Sequence, residues 1–288
     1  MNQTDDFVKY LTYNDRLKKL TSKELVIGLY ENLRIATNKG GLEIFLKSLR
    51  KVNKSCAIII WCHRDKFMFE YKPLEQKYNC IFLGYRVYSN THHVQTRRLY
   101  LTKHLLDIYN DFDKVLSADM NDVYFQKDPF TINIGDNDIY CALEINNFSK
   151  PNDSTACNKS WLSMLQIKEN VYNKEYVICS GTLYGSYSGI KSYLDWAYNN
   201  KFSVHPTCLG LDQGYWMEYI YSVIKKRGCK MKHIKNSDIL TGDRIPCYMQ
   251  NTLGNIINNN GQEYIILHQI DRVPGLLDHI RRKLFFMS

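Results

Sequence analysis

The chain has 288 residues, of which 44% are hydrophobic and 23% charged, and its formal net charge is +9. These values are typical of a globular protein that buries a full core as one large domain or two closely joined ones. No stretch approaches the roughly 18 apolar residues of a membrane span, which excludes a transmembrane helix.

The positive charge suits an anionic partner, which could be nucleic acid, an anionic membrane or a small anionic ligand. The basic residues form only short, separate clusters, and no RNA- or DNA-binding motif accompanies them. We therefore expect no nucleic-acid partner. The basic and apolar segment 281–286 is a candidate for peripheral membrane contact, with a helix end packed on the domain as the alternative.

The nine cysteines form no Cys-x-x-Cys pair, which argues against a zinc site. Several lie in apolar stretches, where they predict buried free thiols and a reducing compartment. The first residues are polar and lack the apolar segment of a signal peptide. Together these features predict a cytoplasmic protein.

Predicted strands and helices alternate through the first half of the chain. Residues 1–24 are predicted to form an N-terminal extension with some helical character. The predicted strands that follow are Leu25–Tyr30, Ala57–Trp61, Cys80–Leu83 and Val115–Ala118. The predicted helices are Leu42–Lys51, Phe67–Tyr78 and His92–Tyr109. This alternation predicts an α/β fold with a parallel sheet and right-handed crossovers.

The second half of the chain is predicted to be more mixed. The predicted strands here are Ile139–Ile145, Tyr176–Tyr184, Met231–Ile234 and Tyr264–Leu267. Helices are predicted at Tyr187–Tyr198 and Asp212–Lys226. The polar segment 148–160 is predicted to be a loop that could cover a site.

Three oxygen-bearing side chains follow the predicted strand Val115–Ala118 directly: Asp119, Asn121 and Asp122. Ligands of open α/β sheets bind beyond the carboxyl ends of the strands. Magnesium-like ions take one or two protein carboxylates together with phosphate oxygens of a substrate. The pattern therefore predicts a cation site at this sheet end. The alternative is a pair of acids that only caps a turn.

The segment Ser117–Phe130, which reads Ser-Ala-Asp-Met-Asn-Asp-Val-Tyr-Phe-Gln-Lys-Asp-Pro-Phe, resembles the Asp-x-Asp segment of GT-A glycosyltransferases. It is closest to the branch with the motif Asp-x-x-Asp-Val-x-Phe-Gln-x-Asp-Pro-Phe. The resemblance implies a Rossmann-like mixed central sheet flanked by helices over residues 25–288. It also implies a nucleotide-binding half near 25–130 and a sugar- and acceptor-binding half near 131–275.

The same resemblance implies a reaction and a cofactor. The enzyme would move a sugar from a nucleotide-diphosphate donor to a carbohydrate or glycan acceptor, with Mn²⁺ or Mg²⁺ bound. Asp122 would be a metal ligand, Asp119 would lie near both metal and ribose, and the division of roles with Asn121 stays open. His268 lies in Leu-His-Gln-Ile-Asp-Arg, which is similar to the closing His-Gln-x-Asp-Arg of that branch. It would be the third metal ligand, and a structural strand-end histidine is the alternative.

The resemblance further implies donor contacts and a catalytic acid. The candidate donor contacts are Tyr30, Asn32, Arg34, Arg97, Asp119, Asn121, Gly181, Gln213 and Arg272. The candidate catalytic residues are Asp212 and Glu144, and either would deprotonate the acceptor, giving inversion, or stabilise an oxocarbenium-like sugar, giving retention. The sequence does not choose between these outcomes. An N-cap for Asp212 and a surface position for Glu144 are the alternatives.

Two other functions stay open at this point. A nucleotidyltransferase or sugar-nucleotide hydrolase also uses acids at sheet ends. The segment Tyr30–Arg34 lacks the glycines of a nucleotidyltransferase loop, which counts against that reading. A non-catalytic protein that recruits partners through its basic surface is the other alternative.

Overall fold

The structure is a computed structural model, and it describes most of the chain in nine segments. These are residues 17–31, 41–63, 71–85, 94–147, 153–167, 175–201, 210–224, 238–242 and 245–286. The predicted donor contacts Asn32 and Arg34 lie outside the described residues, as do residues 1–16 of the predicted extension and the predicted strand Met231–Ile234. Within that extension, a short turn at Leu17–Lys19 buries Leu17 in the core.

The strands and helices of the described residues are numbered in chain order. The strands are β1 (Glu24–Tyr30), β2 (Ala57–His63), β3 (Ile81–Tyr85), β4 (Lys114–Ala118), β5 (Val123–Phe125), β6 (Ile139–Tyr140), β7 (Leu143–Asn147), β8 (Tyr176–Ile178), β9 (Thr182–Ser186), β10 (Ile239–Thr241), β11 (Met249–Gln250), β12 (Ile256–Ile257) and β13 (Ile266–His268). The α-helices are α1 (Gly41–Val52), α2 (Lys72–Tyr78), α3 (Val94–Ile108), α4 (Asp153–Met164), α5 (Tyr187–Asn200), α6 (Leu211–Glu218) and α7 (Leu276–Phe285). Helix α6 continues into a π-helical segment at Tyr219–Ile224.

The central sheet has six strands in the order β3-β2-β1-β4-β9-β6. Strands β1 to β4 are parallel to one another, β9 runs antiparallel to β4, and β6 pairs antiparallel with β9 and so has the direction of β1 to β4 again. Strands β1, β2 and β4 are buried along most of their length and read as continuous apolar runs, which is typical of a sheet covered on both faces. The predicted α/β class, with a mixed central sheet flanked by helices, is confirmed.

A second, three-stranded sheet in the order β10-β13-β5 lies at the carboxyl end of β4. Strand β5 follows β4 after only four residues and pairs antiparallel with β13, so that His268 lies opposite Val123. The backbone N–H of Ile270 donates to the carbonyl of Asp122 at 3.2 Å and extends this pairing. Residues more than 140 positions apart are thereby brought to one place.

Three details of the second half differ from the sequence expectations. The run Tyr176–Tyr184 is not one strand but two, β8 and β9, in different sheets. Ile139–Ile145 is likewise divided between β6 and β7. The predicted polar loop is helix α4 from Asp153 onward. Asn158 and Leu162 are four residues apart, so they lie on one face of this helix, and both are buried.

Two further sequence expectations can be compared with the described residues. Among the described residues, Cys56, Cys62, Cys80, Cys141 and Cys179 are buried and form no disulfide, as predicted. Within the segments that the structure describes, no helix combines the length and hydrophobicity needed to cross a membrane.

Candidate functional site

Asp119 is the first residue beyond β4, where the chain leaves the central sheet. Its backbone N–H donates to the carbonyl of Gly181 at 2.8 Å, which continues the antiparallel pairing of β4 with β9. This bond lies at the carboxyl end of a parallel strand, where open α/β sheets bind ligands. The break between β8 and β9 at residues 179–181 therefore lies directly beside Asp119.

His268 is the last residue of β13, and its imidazole faces the two acids. The ring Nε2 is 3.4 Å from Asp119 Oδ2 and 3.7 Å from Asp122 Oδ1. The chain turns sharply at the next residue, since Gln269 takes a left-handed backbone conformation with φ of 58°. The predicted convergence of these three side chains on one point is what the fold produces.

Two of the converging atoms lack hydrogen bonds among the described residues. Asp122 Oδ1 and His268 Nε2 are both buried, and neither makes a hydrogen bond of acceptable geometry there. Buried polar atoms are nearly always paired, so an unpaired facing pair calls for a ligand. One ligand atom from each of Asp119, Asp122 and His268 lies within 4.8 Å of the others. Two carboxylates and an imidazole fit Mn²⁺ or Mg²⁺, with positions left for other oxygens.

Gly181 makes room for the imidazole. A Cβ atom at this position would lie 2.1 Å from Cε1 and 2.3 Å from Nε2 of His268, and 2.8 Å from Asp119 Oδ2. Only glycine allows the backbone to pass this close to the two ligands. Its predicted contact with a donor sugar stays a prediction, whereas its contact with the candidate ligands is observed.

The three groups have strongly perturbed acidities. Burial opposes the charge on Asp119, but Arg98 and His268 outweigh it and lower the pKa of Asp119 to about 2. Burial raises the pKa of Asp122 to about 6, with a further contribution from the charge of Asp119. Burial favours neutral His268, but Cys179, Asp122 and Asp119 together raise its pKa above the usual value. Without a cation the site therefore holds protons in its place.

Arg98 lies behind the candidate ligands and is 2% exposed. Its guanidinium donates to Asp119 Oδ1 and, at 2.8 Å, to the carbonyl of Ser180. It also lies 3.8 Å from Asp212 Oδ2. The guanidinium fork is rigid and planar, so one side chain fixes both a candidate ligand and the backbone beside Gly181.

Asp212 and Glu144 belong to one buried hydrogen-bond network. Asp212 accepts a hydrogen bond from Ser180 Oγ at 2.7 Å, and burial raises its pKa. Gln213 donates through Nε2 to Glu144 at 3.1 Å and to Asn158 at 2.8 Å. Glu144 is 3% exposed, so it is not a surface residue. The N-cap of α6 is Gly210, so Asp212 does not cap the helix.

Four other candidates lie at the site margin or in the core. Asn121 is exposed on the loop between β4 and β5, and Arg272 is exposed beyond β13. Arg97 donates to Glu31 at 2.7 Å, and its neighbour Arg98 is the one that contacts Asp119. Tyr30 is 1% exposed and lies edge-on to Tyr71, so stacking on a base would require its ring to leave the core.

The later residues of the Asp-x-x-Asp segment are structural in this chain. Gln126 accepts from the backbone N–H of Ile256 at 2.6 Å and donates to the carbonyls of Ile256 and Tyr264. Asp128 accepts from the N–H of Phe130 at 3.0 Å and from Asn53. These bonds tie β5 to the β11–β12 hairpin and to the core, and so hold Asp122 in place.

Sequence reasoning did not identify Arg98 as part of this site. The resemblance favoured Arg97, but Arg97 pairs with Glu31 and its neighbour Arg98 contacts Asp119. A helix turns about 100° per residue, so adjacent arginines face different directions. The positions three, four, seven and eight residues after Arg98 are Leu101, Thr102, Leu105 and Leu106, all of them buried, and this helical spacing is the signal that could have found it.

No protein-family profile matches the chain, and no curated protein matches it in sequence. Similar solved structures include galactosyltransferase LgtC in complex with donor and acceptor sugar analogues, at 11% identity and a TM-score of 0.46, over 85% of this chain and 86% of that one. They also include the apo form of glycosyltransferase GlyE of Streptococcus pneumoniae TIGR4, at 12% identity and a TM-score of 0.46, over 86% of this chain and 54% of that one. Both TM-scores lie under 0.5.

Proposed function

We propose that this chain is a metal-dependent glycosyltransferase with a GT-A fold. It transfers a sugar from a nucleotide-diphosphate donor to a hydroxyl of an acceptor glycan. The observation that carries the proposal is the meeting of Asp119, Asp122 and His268 at the carboxyl end of β4, with two of their atoms buried and unpaired among the described residues. The Asp-x-x-Asp-Val-x-Phe-Gln-x-Asp-Pro-Phe segment supplies the first two of these residues.

The side chains have distinct parts in this reaction. Asp119, Asp122 and His268 hold Mn²⁺ or Mg²⁺, and Arg98 keeps Asp119 ionised and correctly oriented. A divalent ion bound there supplies Lewis-acid neutralisation of the charge that develops on the leaving diphosphate. Asn121, which precedes Asp122, and Arg272, which follows β13, are both exposed and contact the nucleotide in this proposal. Arg272 suits phosphate because a guanidinium can bind it with two parallel hydrogen bonds.

Asp212 and Glu144 supply the acid–base or electrostatic assistance at the sugar. Asp212 is the better placed of the two, since Arg98 joins it to Asp119 and Ser180 joins it to the backbone at Gly181. Glu144 reaches the same region only through Gln213. A raised pKa lets a buried carboxyl group carry or accept a proton near neutral pH, as general acid–base chemistry requires.

The test is a thermal-shift screen of nucleoside diphosphates and their sugars, with and without Mn²⁺. We expect stabilisation by a nucleoside diphosphate only when the metal is present, and free nucleoside diphosphate as the product of turnover. Asp122→Asn should abolish both effects while the protein stays folded. Asp136→Asn is the matched control, because Asp136 is exposed and precedes β6, which pairs with β9 at Gly185, away from the Gly181 end.

The products separate this proposal from the other functions. Release of pyrophosphate would assign the site to nucleotidyl transfer, and sugar release without an acceptor would assign it to hydrolysis. Absence of any metal-dependent stabilisation would favour a non-catalytic binding protein. Full activity of Asp122→Asn in EDTA would contradict the mechanism.

A further inference from the structure

The β11–β12 hairpin and the carboxyl end of α7 carry an exposed apolar surface. Among the residues that the structure describes, five large hydrophobic side chains are exposed, and three of them lie here. These three, called the apolar triad below, are Met249 at 46%, Leu253 at 74% and Phe286 at 82% exposure. Leu253 lies in the hairpin turn and Phe286 directly follows α7.

The surface is held rigidly by contacts between α7 and the hairpin. His279 Nε2 lies 2.9 Å from the carbonyl of Gly254, and the His279 ring lies 5.7 Å from the ring of Tyr248. Lys283 donates to Asn255 one turn further along the helix. The other face of α7 buries Leu276, Ile280 and Leu284 in the core. The apolar triad therefore lies on a hairpin and a helix that contact each other, while the opposite face of the helix packs in the core.

Basic side chains surround this surface. The second half of α7 carries Arg281, Arg282 and Lys283, and its one acid is Asp278. Helix α1 packs beside α7 and adds Lys47, whose Nζ lies 4.3 Å from the ring centre of Phe285, and exposed Lys51. Burial lowers the pKa of Lys283, with opposing contributions from the acid Glu263, which raises it, and from Lys51, which lowers it further, so one acid lies beside these cations.

We propose that this surface docks the protein onto an anionic lipid bilayer. Leu253 and Phe286 project singly from a hairpin turn and a helix end, a geometry that inserts between lipid headgroups and leaves little flat area for a folded protein partner. The basic residues of α7 and α1 complement anionic headgroups, and each cation near a lipid surface strengthens the electrostatic attraction to it. An amphipathic helix with apolar and basic residues side by side is typical of interfacial binding.

The docking surface is connected to the candidate site by α1. A Cβ atom at Gly41, the first residue of α1, would lie 2.5 Å from the carbonyl oxygen of Asn121 in the site loop. Lys47 and Lys51 follow about 9 and about 15 Å along the helix axis. A bilayer that contacts Lys47 and Lys51 would then lie about one helix length from the candidate site. This docking does not depend on the proposed reaction, and its test measures binding alone.

The test is co-sedimentation of the full chain with lipid vesicles. We expect binding to vesicles that contain phosphatidylcholine and phosphatidylglycerol, little binding to phosphatidylcholine alone, and release at high salt. The double variant Leu253→Ser, Phe286→Ser should lower the partition coefficient about 100-fold, since each buried apolar side chain contributes a factor of about ten. Arg282→Glu with Lys51→Glu should weaken binding to the anionic vesicles in the same way.

Ile108→Ser with Met164→Ser is the matched control, because these are the other two exposed large hydrophobic residues and they lie outside the surface. Circular dichroism and melting temperature should be unchanged in every variant. Equal binding by the control and the Leu253/Phe286 variant would overturn the proposal. Binding that ignores phosphatidylglycerol, or binding of an RNA oligomer in place of vesicles, would overturn it as well.

Discussion

The guanidinium of Arg98 donates to Asp119 and lies 3.8 Å from Asp212, so a single buried cation joins the candidate metal site to the start of α6. The same group binds the carbonyl of Ser180, whose hydroxyl donates to Asp212. Three segments that are far apart in the chain meet at this side chain. The charge balance of the site, and not only its shape, therefore depends on Arg98.

Arg98→Leu is expected to lower the free energy of unfolding by about 3 kcal/mol, because it leaves Asp212 as an uncompensated buried acid and removes the cation beside the partly exposed Asp119. Arg98→Lys should retain the charge but lose the forked geometry, with a smaller loss of stability and weaker Mn²⁺ binding. Arg97→Gln is the control and should cost about 1 kcal/mol, since its ion pair with Glu31 is partly exposed. Urea unfolding of the three variants checks the order, and an Arg97 effect as large as that of Arg98→Leu would contradict it.

Gly181→Ala is expected to displace the His268 ring, because the new methyl group would lie 2.1 Å from its Cε1 atom. Overpacking of this kind costs about 1–3 kcal/mol of stability. We also expect Mn²⁺ affinity, measured by titration calorimetry, to fall by more than stability alone explains. Gly135→Ala is the control, since it lies on the surface and meets only the Asp138 side chain. Unchanged Mn²⁺ affinity in Gly181→Ala would show that His268 is not a ligand.

Much of the central sheet could be predicted because its strands are buried on both faces. Runs such as Leu25–Tyr30 and Ala57–Trp61 are long and apolar enough to identify a strand without tertiary information. The errors fell where a run changes sheets, as at Cys179–Gly181. The hydrophobicity of a run does not show which neighbour a strand pairs with, so the continuous run Tyr176–Tyr184 was predicted as one strand although it forms two.

The site could be predicted as far as local motifs reach. Asp119, Asp122 and His268 each follow a hydrophobic strand, and their convergence follows from the β5–β13 pairing. Arg98 could not be chosen over Arg97 because that choice depends on how α3 is rotated against the sheet. The burial of Tyr30 was missed because an aromatic residue at a strand end is compatible both with a ligand contact and with the core.

Cation binding should weaken as pH falls through about 6, because the cation displaces the proton that Asp122 holds below that value. We expect the Mn²⁺ dissociation constant to rise about tenfold per pH unit for the Asp122 proton there, and by up to about a further tenfold for the proton that His268 must also lose. Without metal the sign is opposite. The pKa of Asp122 is raised from 3.8 to about 6, so its contribution to stability is fully present below the unfolded value and is lost as pH rises toward 6. Calorimetry and urea unfolding across this range, repeated on Asp122→Asn, check both trends, and a pH-independent affinity would contradict them.

Asp212→Asn should separate catalysis from binding. The substitution keeps the shape and the hydrogen bond from Ser180 Oγ but removes the carboxylate, so we expect metal-dependent nucleotide binding to persist while turnover falls about 100-fold or more. Glu144→Gln should have a smaller effect, because Gln213 stands between Glu144 and the acids near the candidate metal site. Steady-state kinetics and thermal shift of both variants test the assignment. A greater loss of turnover in Glu144→Gln, with binding intact, would move the catalytic role to Glu144 and leave Asp212 as the partner that balances the charge of Arg98.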